Sequence, residues 1–218
     1  MKKADLKEVY RILYDRYGPQ GWWPADTQLE VIVGAIITQN TAWKNVEKAI
    51  ANLRSSGALA SPAAMKGIGR RRIAILIRPA GYYNIKAGRL MNFLRFLERG
   101  HGSSLRALSK LGTGSLRREL LGVNGVGPET CDSILLYAMR RPVFVVDAYT
   151  KRVFSRHGLF AADAHYEDVQ KVFTDNLSND VKMFNEYHAL IVRLGKEACR
   201  TEPECSKCPL KGLKIACK

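Results

Sequence analysis

Between Leu120 and Val153 the sequence reads LLGVNGVGPETCDSILLYAMRRPVFVVDAYTKRV, and no other stretch restricts the fold as strongly. Its first part, Gly122-Val123-Asn124-Gly125-Val126-Gly127, reads as a tight hairpin. Gly125 and Gly127 can take positive φ at no Cβ cost and let another backbone come close. Pro128 then suits the first position of a helix, where its missing N–H is no loss. Such a helix start presents free backbone N–H groups and a positive dipole end, a ready site for an anion. On the glycines alone, a plain turn between two helices is an equal reading. The next element separates the two: the apolar run Val143 to Val146 delivers Asp147, with Lys151 and Arg152 just beyond. A carboxylate in that setting is ill suited to binding phosphate and better suited to chemistry.

The charge balance agrees. The chain has 35 Lys and Arg against 20 Asp and Glu, a net +15 spread along 218 residues, so the expected partner is a polyanion. Hydrophobic residues make up 46%, enough for a globular chain of one large domain or two small lobes. No apolar run approaches the ~20 residues of a membrane span. The opening MKKADLKEVYRIL places charged and apolar residues at helical spacing, unlike a signal peptide. A soluble, cytoplasmic protein is expected.

Apolar periodicity predicts helices almost throughout. Residues 1–20 suggest a short amphipathic helix with Leu6, Val9, Tyr10 and Leu13 on one face, broken by Gly18-Pro19-Gln20-Gly21. Trp22 and Trp23 follow in a loop; adjacent tryptophans cannot both face one core, so at least one lies near a surface or pocket. Thr27-x-x-Glu30 reads as a capping box that opens a helix with Leu29, Ile32, Val33, Ile36 and Ile37 in register. That helix ends at Thr38-Gln39-Asn40-Thr41, and Trp43 starts the next one. Ser61-Pro62 begins a short helix, Lys66-Gly67-Ile68-Gly69 is a turn, and Asn84 caps a helix stopped by Gly100. Further helices are expected at 103–111, 115–121, 148–156, 166–176 and 180–194. The four residues Val143–Val146 are too few for a sheet.

Of five cysteines, Cys131 stands alone in a helix and reads as a buried small hydrophobe. The rest form Cys199-x5-Cys205-x2-Cys208-x8-Cys217. Four thiolates this close in sequence can surround one metal centre. Disulfides run against a cytoplasmic setting. Zinc and a [4Fe–4S] cluster both accept four cysteines, and spacing alone does not choose between them.

Leu121-x-x-x-Gly125-Val126-Gly127, followed by Val145-Val146-Asp147, resembles the helix-hairpin-helix plus Gly/Pro…Asp signature of the endonuclease III superfamily of DNA glycosylases. The likeness runs from about Leu29 to the C-terminus and includes the cysteines. It implies an all-α, two-lobed fold with a C-terminal four-cysteine iron–sulfur loop. One helical lobe, residues 25–142, would carry the hairpin; the other, 1–24 plus 143–218, would include the cluster loop 199–217. Their cleft would hold the site, with Asp147 at its floor. The implied partner is double-stranded DNA containing damaged bases, bound by a monomer.

The resemblance also assigns residues. Asp147 matches the catalytic Asp; capping the helix that begins at Ala148 is compatible with that role. Gln39 matches the residue that fills the gap left by a flipped base, with a polar helix cap as the alternative. Gly125, Val126 and Gly127, with Lys151 and Arg152, would hold the DNA backbone. Gly195-Lys196-Glu197-Ala198-Cys199 matches the run-in to a [4Fe–4S] site at Cys199, Cys205, Cys208 and Cys217. The cysteine spacing departs from the family's usual pattern, which keeps zinc as the alternative. Glu129, two residues after Gly127 and eighteen before Asp147, stands where lyase members carry lysine. A carboxylate cannot form a Schiff base, so hydrolysis without AP-lyase activity is expected.

Trp22, Trp23 and Trp43, with Glu129, are the candidate base pocket. Their placement resembles the 3-methyladenine DNA glycosylase III branch, in which aromatics sandwich an alkylated purine. Such bases are cationic, and stacking on indole adds roughly 0.5–2 kcal/mol of cation–π energy. The expected function is therefore excision of alkylated purines such as 3-methyladenine and 7-methylguanine after base flipping. The alternatives are a same-fold glycosylase for deaminated or mismatched bases (uracil, thymine, hypoxanthine) and a non-catalytic DNA-binding module.

Overall fold

The structure, a computed structural model, describes the backbone of residues 2–215 and side chains from residue 5 onward. In chain order it has helices α1 (Leu6–Tyr17), α2 (Gln28–Ile37), α3 (Trp43–Ser55), α4 (Pro62–Leu76), α5 (Tyr83–His101), α6 (Leu105–Ser109), α7 (Thr113–Leu121) and α8 (Pro128–Ser133). After them come a π-helical turn (Ile134–Ala138), α9 (Ala148–Arg156), α10 (Tyr166–Asn176) and α11 (Val181–Glu197). Strands β1 (Lys2–Ala4) and β2 (Leu213–Ile215) pair in parallel, a feature that no alternating pattern announced. The chain divides into two compact units, Ala25–Arg141, and Met1–Pro24 with Pro142–Lys218. No helix among the described residues is long and apolar enough to cross a membrane.

The contiguous unit is built around α2, where every residue from Leu29 to Ile37 is buried. A helix this apolar needs cover on all sides, and α3, α5, α8 and the π-helical turn supply it. Its start is the expected box with one change. Thr27 accepts from the Glu30 amide at 3.2 Å, but the Glu30 carboxylate reaches back to the Asp26 amide (2.8 Å). Arg54 ties that end down through Glu30 (2.9 Å) and Asp26 (2.8 Å).

Two boundaries differ from expectation. Asn84 does not cap α5; Tyr82 (φ 45°) precedes the helix, while the Asn84 carbonyl accepts from Arg70 at 3.3 Å. The helix also runs past Gly100 to His101 and stops at Gly102. At Gly69 the backbone leaves helical values (φ 77°, ψ 158°), so the expected turn at residues 66–69 is a one-residue break that divides α4 in two.

The two arms of the hairpin, α7 and α8, are locked by a buried ion pair. Arg117 grips Asp132 with Nε at 2.8 Å and Nη2 at 3.1 Å, and Asp132 is fully shielded from solvent. The chain then widens into the π-helical turn, where Met139 N–H reaches the Ile134 carbonyl at 3.0 Å.

In the split unit, α11 packs on α1 and α9. Its core is aromatic: Phe144 stacks on Phe173 (centroids 4.1 Å apart, planes at 6°), and Phe184 and Tyr187 meet Phe144 edge-on. The run Val143–Val146 joins no ladder and belongs to no helix. Buried backbone groups need partners; here Gln170 donates to the Phe144 carbonyl (2.6 Å) and the Val146 amide donates to the Tyr166 hydroxyl (3.3 Å). That anchored run sets the position of Asp147.

Removing one side of the hairpin clamp leaves a charge facing a dry interior, which costs about 2–4 kcal/mol when one partner keeps some water. Asp132→Ala should therefore lower the unfolding free energy by that order in urea titrations, and a loss below about 1 kcal/mol would show that the pair does not lock the hairpin.

Candidate functional site

Two carbonyls of the hairpin are taken by side chains of the same unit. The Asn124 carbonyl accepts from Asn92 Nδ2 at 3.0 Å, and the Gly125 carbonyl accepts from Gln39 Nε2 at 3.1 Å. The Val126 amide closes the turn on Val123 O at 2.9 Å. Among the described residues, the Gly125 and Gly127 amides donate to no protein acceptor. Gly125 has φ 95°, and a Cβ there would collide with the aliphatic part of Arg89, so the position is closed to other residues on two counts. Gly127 is the N-cap of α8 and Pro128 its first residue. The two amides and the start of α8 together suit a phosphate oxygen.

Gln39 sits beside this hairpin, half-buried just past the end of α2. Besides Gly125, its Nε2 donates to Thr130 Oγ1 at 2.8 Å, while Arg89 Nη1 bonds its Oε1. The structure thus brings Gln39 and Gly125 together through hydrogen bonds. Arg89 and Thr130 complete the network, and neither stood out in the sequence. Glu129 lies exposed in the first turn of α8, where its carboxylate suits the helix dipole. Trp43, also in this unit, opens α3 half-buried, with Nε1 on Glu47 Oε1 at 2.9 Å.

In the other unit, Asp147 is the N-cap of α9. Its Oδ1 accepts from the Thr150 amide (2.7 Å) and the Thr150 hydroxyl (3.0 Å). Its Oδ2 faces His188 Nε2 at 3.5 Å, longer than a strong hydrogen bond. Only 12% of the Asp147 side chain and 7% of His188 reach solvent. Burial pushes the Asp147 carboxyl up; the attraction of His188, the bond to it and the two Thr150 bonds outweigh burial and hold it below the usual aspartate range. The group is therefore an ionised carboxylate in a water-poor setting. His188 was overlooked in the sequence. Its signal is positional: it lies four residues after Phe184 and three before Ile191, on the buried stripe of α11, where a polar residue needs a reason.

The neighbouring basic residues find partners inside the protein. Lys151 donates to the Ala164 carbonyl at 2.6 Å. Arg152 lies 5.0 Å over the Tyr149 ring and donates to the carbonyls of Cys199 (2.7 Å) and Gly195 (3.1 Å). Tyr149 packs so closely on Gly195 that any Cβ there would overlap its ring. Lys151 and Arg152, expected from the sequence to meet DNA, also fasten α9 to its surroundings. Trp22 and Trp23 are both half-buried, with ring centroids 5.4 Å apart at 60°, so neither is a core plug.

Cys199, Cys205 and Cys208 carry free thiols on the loop after α11, and Cys217 lies outside the described residues. Among the described residues no three potential ligands converge as a metal site. Burial raises the Cys208 thiol; the charges of Cys199 and Cys205 add to the rise, against a backbone bond at Leu210. Arg156 Nη1 approaches Cys199 Sγ at 3.4 Å and also binds the Arg200 carbonyl at 2.6 Å. A guanidinium directed at a buried sulfur suits a thiolate, so this donor set fits a thiolate-bound centre completed by a further ligand.

With this geometry in place, known proteins supply the lineage. The model of the HhH-GPD superfamily base excision DNA repair protein matches residues 33–179. A provisionally named DNA repair glycosylase of Methanocaldococcus jannaschii is 49% identical over 207 residues, 94% of each chain. An endonuclease III of Sulfolobus acidocaldarius is 28% identical over 181 residues, covering 83% of this chain and 78% of its own. Among solved structures, an H. pylori 3-methyladenine DNA glycosylase bound to 1,N6-ethenoadenine matches with a TM-score of 0.75 at 24% identity, over 89% of this chain and 98% of that one. An endonuclease III–DNA complex matches with a TM-score of 0.79 at 18% identity, over 94% and 91%. At such identities the likeness establishes a shared fold. The family match spans both the hairpin and Asp147, and nearly half the positions of almost the whole chain are shared with one relative; the chain belongs to the HhH-GPD superfamily of base excision DNA repair proteins.

Proposed function

We propose that this base excision repair glycosylase is monofunctional and hydrolyses the N-glycosidic bond of alkylated purines such as 3-methyladenine and 7-methylguanine. The observation that carries this reading is the ionised Asp147 carboxylate, held by Thr150 and His188 in a water-poor setting. Loss of a base leaves positive charge on the deoxyribose. A fixed carboxylate counters that charge in the transition state and can orient the attacking water. DNA is held by the hairpin amides of Gly125 and Gly127, without reading sequence. Gln39 fills the space left by the flipped nucleotide.

Three features support the finer claims. The half-buried indoles of Trp22, Trp23 and Trp43 offer π faces, which favour a cationic base over a neutral one. The H. pylori neighbour is named for 3-methyladenine. Glu129 supplies no amine where lyase relatives place lysine, so water takes the role of nucleophile. Cys199, Cys205 and Cys208, joined by Cys217, would hold a [4Fe–4S] cluster, with zinc as the alternative ion. When bound, that centre supplies a structural crosslink of the loop. Arg156 would lend its N–H to the Cys199 sulfur.

Asp147→Asn should slow single-turnover release of 3-methyladenine by about 10³-fold while leaving affinity for damaged duplex unchanged. Excision close to the wild-type rate would remove Asp147 from the mechanism. Wild-type protein should leave an intact abasic strand and give no borohydride-trapped protein–DNA adduct; a trapped adduct would contradict the monofunctional reading. Trp22→Ala should lower excision of 3-methyladenine more than that of hypoxanthine, and robust uracil removal with no methyladenine release would contradict the substrate class. Purified protein should be yellow-brown with about four irons per chain; a colourless protein holding one zinc would exclude the cluster.

A further inference from the structure

Gln39 is held at both ends of its amide. Its Nε2 is given to the Gly125 carbonyl (3.1 Å) and to Thr130 Oγ1 (2.8 Å), and its Oε1 is taken by Arg89. A side chain so engaged cannot enter a duplex unless these bonds are exchanged. Arg89 reaches Gln39 from α5, and its aliphatic stem lies on the bare Cα face of Gly125, in the space a Cβ would occupy. The same arginine therefore touches both the anion-binding turn and the proposed gap-filling residue. Asn92, three residues further along α5, holds the Asn124 carbonyl of the same turn (3.0 Å).

We propose that Arg89 is a positioning residue that couples phosphate binding at the hairpin to release of Gln39, so that the gap is filled only once the DNA backbone is seated. The inference rests on the reading of Gln39 as the gap-filling residue and adds the control of its deployment. Its physical basis is a competition between acceptors. In the absence of DNA, the Arg89 guanidinium pairs with a neutral amide oxygen. A phosphate on the amides of Gly125 and Gly127 brings a full negative charge beside the same guanidinium. Charge-assisted, forked bonds from arginine to phosphate are stronger than its bond to an amide. Arg89 then turns to the phosphate, and Gln39 Oε1 loses its partner. What remains are the neutral bonds to Gly125 and Thr130, which stacked bases and a vacated pairing edge can replace. Before that moment the latch keeps a flexible polar side chain folded onto the protein, so Gln39 is deployed only on DNA whose backbone is already seated.

The test uses the side-chain amide resonances of Gln39 by ¹⁵N NMR, with a short undamaged duplex as the probe. In the wild type, the duplex should shift the Gly125 and Gly127 backbone amides and the Gln39 side-chain amide with one common midpoint. In Arg89→Met, which keeps a stem on Gly125 but lacks the guanidinium, the Gln39 resonances should already differ in the free protein. The duplex should then move them less than in wild type while still shifting the hairpin amides. The latch is overturned if the wild-type Gln39 resonances stay in place as the hairpin amides shift, or if Arg89→Met shows the full wild-type response. The wild-type arm decides the matter by itself if Arg89→Met does not fold. Excision by Gln39→Ala separates this inference from the reading beneath it. A fall of about tenfold keeps the gap-filling role, whereas an unchanged rate removes that role and the latch with it.

Discussion

A carboxylate withdrawn from water must be stabilised as an anion or it takes up a proton, and much of the split unit is arranged around that requirement at Asp147. Thr150 supplies two donors from the first turn of α9 and His188 faces the other oxygen from α11. The run that carries Asp147 is kept in place by Gln170, Tyr166 and the stacked Phe144. Capping and the proposed catalysis call for the same thing here: an ionised oxygen with a fixed direction. The capping bonds use Oδ1, which leaves Oδ2 to the electrostatics of the site.

The same helix has a second duty at its far end. Arg152 and Arg156, one turn apart on α9, take the carbonyls of Gly195, Cys199, Arg200 and Thr201. The close approach of Tyr149 to Gly195 brings α9 and α11 near enough for these bonds. α9 therefore holds Asp147 at its start and the cysteine-bearing loop along its length. In the contiguous unit a comparable economy governs the hairpin. Asn92 and Gln39 occupy the carbonyls of Asn124 and Gly125, and the proposed phosphate contact uses its amides.

What the sequence disclosed follows the range of the interactions involved. Local signals were legible: the caps at Thr27 and Asp147 both hold helices, because a cap needs only residues three apart. Asn84 failed as a cap because the chain enters α5 through left-handed backbone at Tyr82. Long-range pairings were hidden. His188 lies 41 positions from Asp147 (188 − 147), and Arg89 50 from Gln39 (89 − 39), so no spacing rule connects either pair. The pairing of β1 with β2 joins opposite ends of the chain and could not be read from three-residue strands. Lys151 and Arg152 show the converse. Their charge is plain in the sequence, and only the fold revealed the carbonyls they also bind.

The central claim is that the Asp147 charge acts on positive charge developing at the sugar. The most direct measurement compares the affinity of the protein for duplexes bearing a cationic pyrrolidine abasic analogue and a neutral tetrahydrofuran analogue, in wild type and in Asp147→Asn. The account predicts that wild type strongly prefers the cation and that the substitution abolishes the preference while leaving tetrahydrofuran binding unchanged. An equal preference in the two proteins would contradict it.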